Sequence, residues 1–139
     1  MIVLDTNVIS EPMKPLADPV VQSWLDRQAA ETLYLTATNL SELLFGIESL
    51  PDGRRKREIS TSLRELLDQL FGTRFLSFDR EAAAAYAVLV SRAMGKGIAI
   101  SVADGQIAAI AAVHGFAVAT RDTAPFFAAG IAVINPWDG

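Results

Sequence analysis

Short apolar runs alternate along this chain with longer segments whose apolar residues recur at helical spacing. The runs are brief and aliphatic, which predicts buried strands over residues 2–4, 33–35, 75–78, 117–119 and 131–134. Between the runs, apolar residues at intervals of three and four predict amphipathic helices, which begin at Asp18-Pro19, Thr38, Glu58, Asp79 and Ser101. Gly115 follows the last of these segments and is typical of a C-terminal helix cap.

This alternation of strands and helices predicts an α/β fold with a five-stranded, mostly parallel sheet. Parallel strands need a crossover connection, which is usually a helix, and strands that are apolar on both faces indicate helices on both sides. We expect one domain over residues 1–139, because no repeat, low-complexity segment or long linker divides the chain. In such sheets ligands bind beyond the carboxyl ends of the strands, so polar residues that follow strands are the first candidates for a site.

Composition narrows the class of protein. Hydrophobic residues make up 51% of the chain and charged residues 20%, which is a globular composition. We expect a cytoplasmic protein with no membrane partner, because no apolar run reaches about 20 residues and the N-terminus lacks a signal-peptide pattern. The absence of cysteine excludes disulfides and thiolate metal sites. The net charge of −4 argues against a chain-wide electrostatic attraction to nucleic acid, although residues 54–57 form a local basic cluster.

Three acids occupy positions where an aspartate commonly forms a turn or caps a helix. Asp5 follows the first predicted strand and Asp122 follows the fourth, so each is a candidate cap or turn residue. Asp104 lies inside a helix, only about 60° from the centre of the apolar stripe at about 100° per residue. A carboxylate beside a core face is costly unless it is paired, hydrogen-bonded or metal-bound. A capping box with Ser101 is the alternative explanation for Asp104.

A fourth acid, Glu42, points away from the apolar stripe of its helix, which by itself is typical of a solvated residue. Glu42 joins the other acids if its helix begins at the carboxyl edge of the second strand, and the position of Thr38 permits that. Two carboxylates about 4 Å apart repel by about 4 kcal/mol at an effective dielectric near 20. Four clustered acids therefore predict a hard divalent cation, Mg²⁺ or Mn²⁺, and such a site supports hydrolysis of a phosphodiester bond.

At this point the sequence resembles a known family. The segments MIVLDTNVISEP, SVADGQIAAIA and VATRD, with the helix that carries Glu42, resemble the acidic motifs of the PIN domain. The resemblance covers essentially the whole chain and is closest to VapC-type toxins of the FitB-like subgroup. It implies a three-layer α/β/α sandwich and a Mg²⁺- or Mn²⁺-dependent endoribonuclease that acts as the toxin of a type II toxin–antitoxin pair. The catalytic and metal-binding residues that it implies are Asp5, Glu42, Asp104 and Asp122.

Two further positions and one departure refine this resemblance. Asn7 and Thr120 match polar positions near the metal in the family, where they would orient ligands or water. Many members carry an acid just before the phenylalanine that matches Phe126, whereas this chain has Pro125 there. Asp122 then stands as the fourth acid, at a position where those relatives often have asparagine. The resemblance therefore implies a direct metal bond less firmly for Asp122 than for the other acids.

Other classes of protein also place an aspartate after the first strand. Haloacid-dehalogenase-like phosphatases need a second aspartate two residues later, where this chain has Asn7. Receiver domains need paired acids at the first strand and a lysine after the last, where this chain has Asn135-Pro136-Trp137. The remaining alternative is a non-catalytic α/β module whose acids bind a structural cation or a basic peptide.

The resemblance also implies partners. These are an RNA substrate, a cognate antitoxin that covers the cleft with a helix or extended segment, and a second copy in a homodimer. Such antitoxins commonly carry a DNA-binding domain, so operator DNA would be bound only through the antitoxin. Candidates for RNA phosphate contacts are the basic residues Arg54, Arg55, Lys56 and Arg57, with a solvated loop as the alternative. The aromatic residues exceed what a small core needs, although we expect core packing for each of Trp24, Phe45, Phe126, Phe127 and Trp137.

Overall fold

The computed structural model describes the chain from Met1 to Gly139 and confirms the five-stranded α/β fold. All neighbouring strands are parallel, in the order β3-β2-β1-β4-β5. The strands are β1 (Ile2–Leu4), β2 (Leu33–Thr36), β3 (Phe75–Leu76), β4 (Ala117–Ala119) and β5 (Val133–Ile134). The outer strands β3 and β5 are shorter than predicted. At β5 the reason is local, because the Ile131 N–H bonds to the Phe126 carbonyl at the end of a helix instead of joining the sheet.

Seven helices connect the strands, and most begin at a residue whose side chain satisfies a free backbone N–H. The helices are α1 (Thr6–Ser10), α2 (Pro19–Asp26), α3 (Ala37–Glu48), α4 (Arg54–Leu70), α5 (Arg80–Gly95), α6 (Val102–His114) and α7 (Ala124–Ala128). The N-cap side chains accept a hydrogen bond from the first turn of their helices at Asp5, Asp18, Thr36, Asp79 and Ser101. Gly115 ends α6 at a φ of 69°, as the sequence predicts for a glycine cap.

The start of α4 differs from the prediction. The sequence pattern predicts a helix that begins at Glu58, with a solvated loop as the alternative for residues 54–57, whereas the helix starts at Arg54. The Arg57 N–H donates to the Gly53 carbonyl, which closes the first turn, and Lys56 lies 3.3 Å from Asp52. The basic cluster is therefore an exposed helical turn.

Successive strand residues point to opposite faces of the sheet, and each face carries its own core. The core on one side is formed by the sheet and helices α1–α4, with Leu4, Leu33, Leu35, Val8, Trp24, Leu43 and Leu63 among its buried residues. The core on the other side lies under α6 and α7 and includes Val3, Ile107, Ala108, Val118 and Phe126. Alanines keep α6 thin where it approaches the sheet, which gives the three-layer α/β/α arrangement.

Some apolar residues that were expected inside lie on the surface. Leu44, which the helical pattern assigns to the inner stripe of α3, is 48% exposed, and its neighbour Phe45 is 75% exposed. Phe127 is 79% exposed, whereas Trp24 and Phe126 are buried as predicted. The inner face of α3 is thus narrower than its sequence indicates, because only Asn39, Leu43 and Ile47 of this helix are buried. None of the helices combines the length and the apolar character that a membrane crossing needs.

Candidate active site

A cleft of about 410 Å³ lies at the carboxyl edge of the sheet, and all four predicted acids line it. Asp5 follows β1, Asp122 follows β4, Glu42 is on the second turn of α3, and Asp104 is in the first turn of α6. Glu42 reaches the cleft because α3 begins directly after β2, which is the condition that the sequence analysis set for it. The complete lining is Asp5, Thr6, Asn7, Ser10, Lys14, Glu42, Asp104, Arg121, Asp122 and Trp137.

Asp5 is the most enclosed of the four acids, with only 7% of its surface exposed. Its Oδ1 accepts hydrogen bonds from the Thr6 backbone N–H at 2.8 Å and from Asn39 Nδ2 at 2.9 Å. Its Oδ2 accepts from the Thr120 hydroxyl at 2.8 Å. The first of these bonds caps α1, so the cap explanation and the site explanation of Asp5 hold together. Three neutral donors fix the carboxylate, and no cation is paired with it.

A buried hydrogen-bond network joins Asp5 to Glu42. Asn39 is fully buried, and its orientation is set by Thr36, which donates to Asn39 Oδ1 at 2.6 Å and caps α3. Asn39 Nδ2 also lies 3.1 Å from Thr6 Oγ1, and Thr6 Oγ1 donates to Glu42 Oε1 at 3.1 Å. Asn39 and Thr6 thereby hold two acids from different elements beside one another.

Asp104 is positioned by the cap of its helix. Its backbone N–H donates to Ser101 Oγ at 3.1 Å, which is one of the two hydrogen bonds of a capping box, and its half-buried carboxylate lines the cleft. The Thr38 hydroxyl donates to Gln106 Oε1 at 2.9 Å and ties the start of α3 to the first turns of α6. The capping explanation of Asp104 is therefore compatible with a role in the cleft.

The two supporting residues from the sequence analysis form a third part of the network. Asn7 Nδ2 donates to Thr120 Oγ1 at 3.4 Å, and Asn7 Oδ1 accepts from the Arg121 backbone N–H at 3.3 Å. Thr120 is fully buried and its hydroxyl accepts from the Asp122 backbone N–H at 3.0 Å. Thr120 thus contacts Asp5 directly and also fixes the turn that carries Asp122, whose own side chain is exposed.

The lining of the cleft carries four acids and two basic residues, Lys14 and Arg121. None of the four acids takes part in a salt bridge. Partial burial raises the pKa of Glu42 above its ordinary value, and the negative charges of Asp5 and Asp104 raise it further. Burial likewise raises the pKa of Asp104, with added repulsion from Asp5 and Asp122. Hydrogen bonds from Thr6 and Ser101 oppose these two shifts without cancelling them.

This donor set suits a hard divalent cation. Its possible ligands are oxygen atoms, it has neither cysteine nor histidine, and its four carboxylates form no salt bridge. No three acidic or histidine side chains converge closely enough to form a preformed metal centre. A cation that keeps several of its water ligands, as Mg²⁺ commonly does, fits this open spacing.

The predicted basic cluster lies apart from the cleft. Arg57 and Lys56 line a separate surface depression with residues of α3 and α4. Lys56 lies 3.6 Å from Glu48 and 3.3 Å from Asp52, and Arg54 pairs with Glu58 at 2.8 Å. RNA contact by this cluster stays a prediction, and any such contact would be made outside the acidic cleft.

The sequence analysis missed several residues of the site. Asn39 stands three residues after the helix cap Thr36, and a polar residue at that position on the buried face was the available signal. Thr6 is adjacent to Asp5, and its position in the sequence does not indicate a hydrogen bond to Glu42. Lys14 and Arg121 are the basic residues that line the cleft, and neither is marked by spacing or by a charge run.

A family model, related sequences and solved structures were compared with this chain, and they indicate the same family. The PIN domain family model matches residues 2–130. The VapC ribonuclease Y4jK of Sinorhizobium fredii is 51% identical over 139 residues, with 99% of each chain covered. Toxin FitB of Neisseria gonorrhoeae is 47% identical over 137 residues, again with 99% of each chain covered. The crystal structure of FitAcB from Neisseria gonorrhoeae superposes with a TM-score of 0.94 at 47% identity, covering 99% of both chains.

These similarities span nearly the whole chain and include the strands and helices that carry the four acids. The family match, the sequence identity and the structural superposition all indicate the same family, as the acidic motifs of the sequence do. The chain belongs to the PIN domain family, in the group that includes VapC ribonucleases and toxin FitB.

Proposed function

We propose that this protein is a Mg²⁺- or Mn²⁺-dependent endoribonuclease that acts as the toxin of a toxin–antitoxin pair. The observation that carries the proposal is the cleft in which Asp5, Glu42, Asp104 and Asp122 stand together without a basic partner. Such an arrangement is costly to folding unless it serves to bind a cation. The similarity to a VapC ribonuclease and to toxin FitB supports the choice of RNA as substrate and of toxin as biological role.

The residues of the site have different proposed roles. Asp5, Glu42 and Asp104 would hold the cation, and Asp122 would bind it directly or through water. A cation bound there lowers the pKa of water and neutralises charge on a phosphate oxygen. Asn39, Thr6 and Thr120 keep the carboxylates in place with neutral hydrogen bonds, so the acids retain their charge for the cation. Asn7 and Thr120 would orient ligands or water, as the family resemblance implies.

A cleavage assay tests the catalytic part of the proposal. Pure protein, free of antitoxin, is incubated with a panel of single-stranded and structured RNAs in Mg²⁺, in Mn²⁺ or in EDTA. We expect cleavage with either cation and none in EDTA. Asp5→Asn should lower the rate by more than about 100-fold, since even the outer partners of metal ligands contribute about 10–100-fold. Asparagine can also cap α1, so circular dichroism should show a folded variant.

Two other outcomes are informative. RNA that stays intact across the whole panel would contradict the proposed ribonuclease activity. If Mg²⁺ nevertheless raised the melting temperature, the result would favour the alternative of a non-catalytic cation-binding module. Cleavage that persists in EDTA at the full rate would contradict the role of the cation instead.

We also propose the partners that the family resemblance implies. An apolar groove of about 280 Å³ adjoins the acidic cleft and shares Thr6, Ser10 and Glu42 with it. An antitoxin segment whose apolar side chains filled this groove would bring a basic side chain within reach of the acids. Operator DNA would be bound by the antitoxin. A homodimer would cover part of the exposed apolar surface, which includes Leu44, Phe45 and Phe127. Light scattering of the toxin alone and of the purified complex measures both stoichiometries.

A further inference from the structure

Two basic side chains, Lys14 and Arg121, line a cleft whose other charged residues are all acidic. We propose that these two residues bind the RNA phosphates next to the scissile bond, and that a neighbouring side chain holds each of them at the cleft. Glu11 holds Lys14, and Trp137 holds Arg121. The inference rests on the ribonuclease function proposed above and adds the residues that bring the RNA strand to the acids.

Lys14 is held by a buried acid. Its ammonium lies 3.3 Å from Glu11 Oε1, and the Glu11 side chain is only 5% exposed, whereas that of Lys14 is 56% exposed. A carboxylate buried to this degree needs a partner, so the lysine that serves it is kept close to one position. An ammonium group has three N–H donors, and the bond to Glu11 uses one of them. Donors therefore remain for a phosphate oxygen on the exposed side of Lys14.

Arg121 is held by an aromatic ring. Its guanidinium carbon lies 5.1 Å from the ring centroid of Trp137, which is within the range of a cation–π contact. Trp137 itself packs against the core between the sheet and helices α1–α4, so its ring provides a fixed surface. The Arg121 backbone is also fixed, because its N–H donates to Asn7 Oδ1. The guanidinium forms no salt bridge, which leaves its planar donor set free for a phosphate.

The charge of the cleft makes such residues necessary. A bound cation offsets part of the negative charge of four acids, but the phosphates that flank the scissile one would still approach carboxylates. Lys14 and Arg121 are the only basic side chains on the cleft lining, and the helical turn of residues 54–57 lies elsewhere. Because both side chains are already restrained, less rotamer entropy is lost when RNA binds than for free lysine and arginine.

The test is the kinetics of cleavage of a fluorescein-labelled RNA in Mg²⁺ over a range of salt concentrations. Lys14→Gln and Arg121→Gln should each raise KM by about tenfold, the equivalent of one charged hydrogen bond, and leave kcat within about twofold. Each should also reduce the slope of log kcat/KM against log salt by about 0.7, the value for one phosphate contact to a single strand. Arg92→Gln is the matched control, because Arg92 is exposed on α5 and does not line the cleft.

A second pair of variants tests the positioning role of Trp137. Trp137→Phe keeps an aromatic ring beneath Arg121, so its KM should stay close to that of the wild type, whereas complete loss of the cation–π contact should raise KM by about two- to fivefold. Trp137→Leu keeps apolar packing without the ring and should raise KM. In the Arg121→Gln background, Trp137→Leu should have no further effect on KM, whereas a merely structural role would lower stability and kcat in both backgrounds.

The outcomes separate this inference from the function on which it rests. If the wild type cleaves RNA and the Lys14 and Arg121 variants match Arg92→Gln in KM and salt slope, the inference is wrong and the ribonuclease function stands. If the wild type cleaves no RNA, both are wrong. An equal rise in KM for all three charge variants would also overturn the inference, because it would indicate net charge rather than two placed residues.

Discussion

At the scale of single residues, the candidate site depends on neutral side chains that fix charged ones. Asp5 accepts its hydrogen bonds from an amide, a hydroxyl and a backbone N–H, and none of these donors carries charge. A lysine or arginine in the same place would have neutralised the carboxylate and competed with a cation. The cost of this arrangement is electrostatic repulsion among the acids.

Replacement of Asn39 should leave the Asp5 carboxylate less firmly positioned. Asn39 is fully buried, and Asn39→Ala removes the donor to Asp5 Oδ1 and the acceptor of the Thr36 hydroxyl. We expect the free energy of unfolding to fall by about 2 kcal/mol, as for a lost hydrogen bond to a charged group, and the cleavage rate to fall with it. Urea unfolding measures the first effect. Gln106→Ala removes a partly buried polar contact away from Asp5 and is the control. Equal stability of the two variants would contradict the role of Asn39.

Partial burial of two acids, together with repulsion from their neighbours, predicts the pH dependence of stability without metal. The folded pKa of Glu42 is raised above 4.5 and that of Asp104 above 3.8, so the folded state holds these protons more tightly than the unfolded chain. The free energy of unfolding should therefore decrease as the pH rises from these values through the raised folded pKa values. Asp104→Asn removes one charge, and in EDTA at neutral pH it should be more stable than the wild type although it loses activity. Thermal melts from pH 4 to pH 8 measure both effects.

At the scale of elements, the sequence predicts the strands and most helix starts because their signals are local. Asp18, Asp79 and Ser101 cap helices that the apolar periodicity also predicts, and Asp5 and Asp122 follow aliphatic runs. The start of α4 was missed because Pro51-Asp52-Gly53 resembles a loop, while the bond from Arg57 to Gly53 that closes the turn is not visible in the sequence. Leu44 was misplaced because the width of the buried face of α3 depends on how its neighbours pack.

The hydrogen bonds within the site are harder to predict from the sequence than the acids that line it. Asn39, Thr6 and Arg121 have roles that depend on distances between elements far apart in the chain, as with the Asn39–Asp5 bond across 34 positions. A pattern of apolar spacing places an element on the sheet but does not state which polar side chains meet at its edge. The four acids could be proposed together because acidic clusters have a known chemistry, whereas single amides and hydroxyls have many ordinary uses.

The packing of α5 on α6 predicts the effect of a small substitution beside Asp104. A Cβ at Gly105 would lie 2.6 Å from Cε2 of Tyr86 and 3.0 Å from Cγ2 of Val90, so the Tyr86 ring or the helix that carries it would have to shift. We expect Gly105→Ala to lower the free energy of unfolding by about 1–3 kcal/mol, as for an overpacked core, and to lower kcat because α6 carries Asp104. Urea unfolding and single-turnover cleavage measure the two effects.

The control for this prediction is Gly46→Ala in α3, where an added Cβ meets nothing within 4 Å. Alanine there should raise the free energy of unfolding by up to about 1 kcal/mol through helix propensity alone. Tyr86→Leu combined with Gly105→Ala should recover part of the lost stability, because the leucine side chain can vacate the space that the aromatic edge occupies. A stabilised Gly105→Ala variant would show that α5 and α6 are not in close contact at this point.

At the scale of the whole molecule, the surface divides into regions of different chemistry. The acidic cleft occupies the carboxyl edge of the sheet, and the basic turn of residues 54–57 lies outside it. The apolar groove beside the cleft is lined by Met13, Leu43, Ile47, Leu50 and Ile59, among others. A partner that filled the groove would also cover the acids, because the groove and the cleft share residues. Inhibition by the proposed antitoxin would then depend on the apolar residues of the groove, which are not among the residues proposed for catalysis.

Gly46 allows this dependence to be tested, because it lines the groove, is exposed, and an added Cβ there would have no atom within 4 Å. A glutamine side chain at this position would occupy the groove without displacing the core, so Gly46→Gln should fold, cleave RNA at the wild-type rate and bind the antitoxin at least about tenfold more weakly. Gly95→Gln is the matched control, since Gly95 is helical and equally open on α5 but lies outside the groove. Calorimetric titration with the purified antitoxin measures affinity, and the cleavage assay measures inhibition. If Gly46→Gln is inhibited as strongly as the control, the antitoxin does not use the groove and must reach the acids from another side.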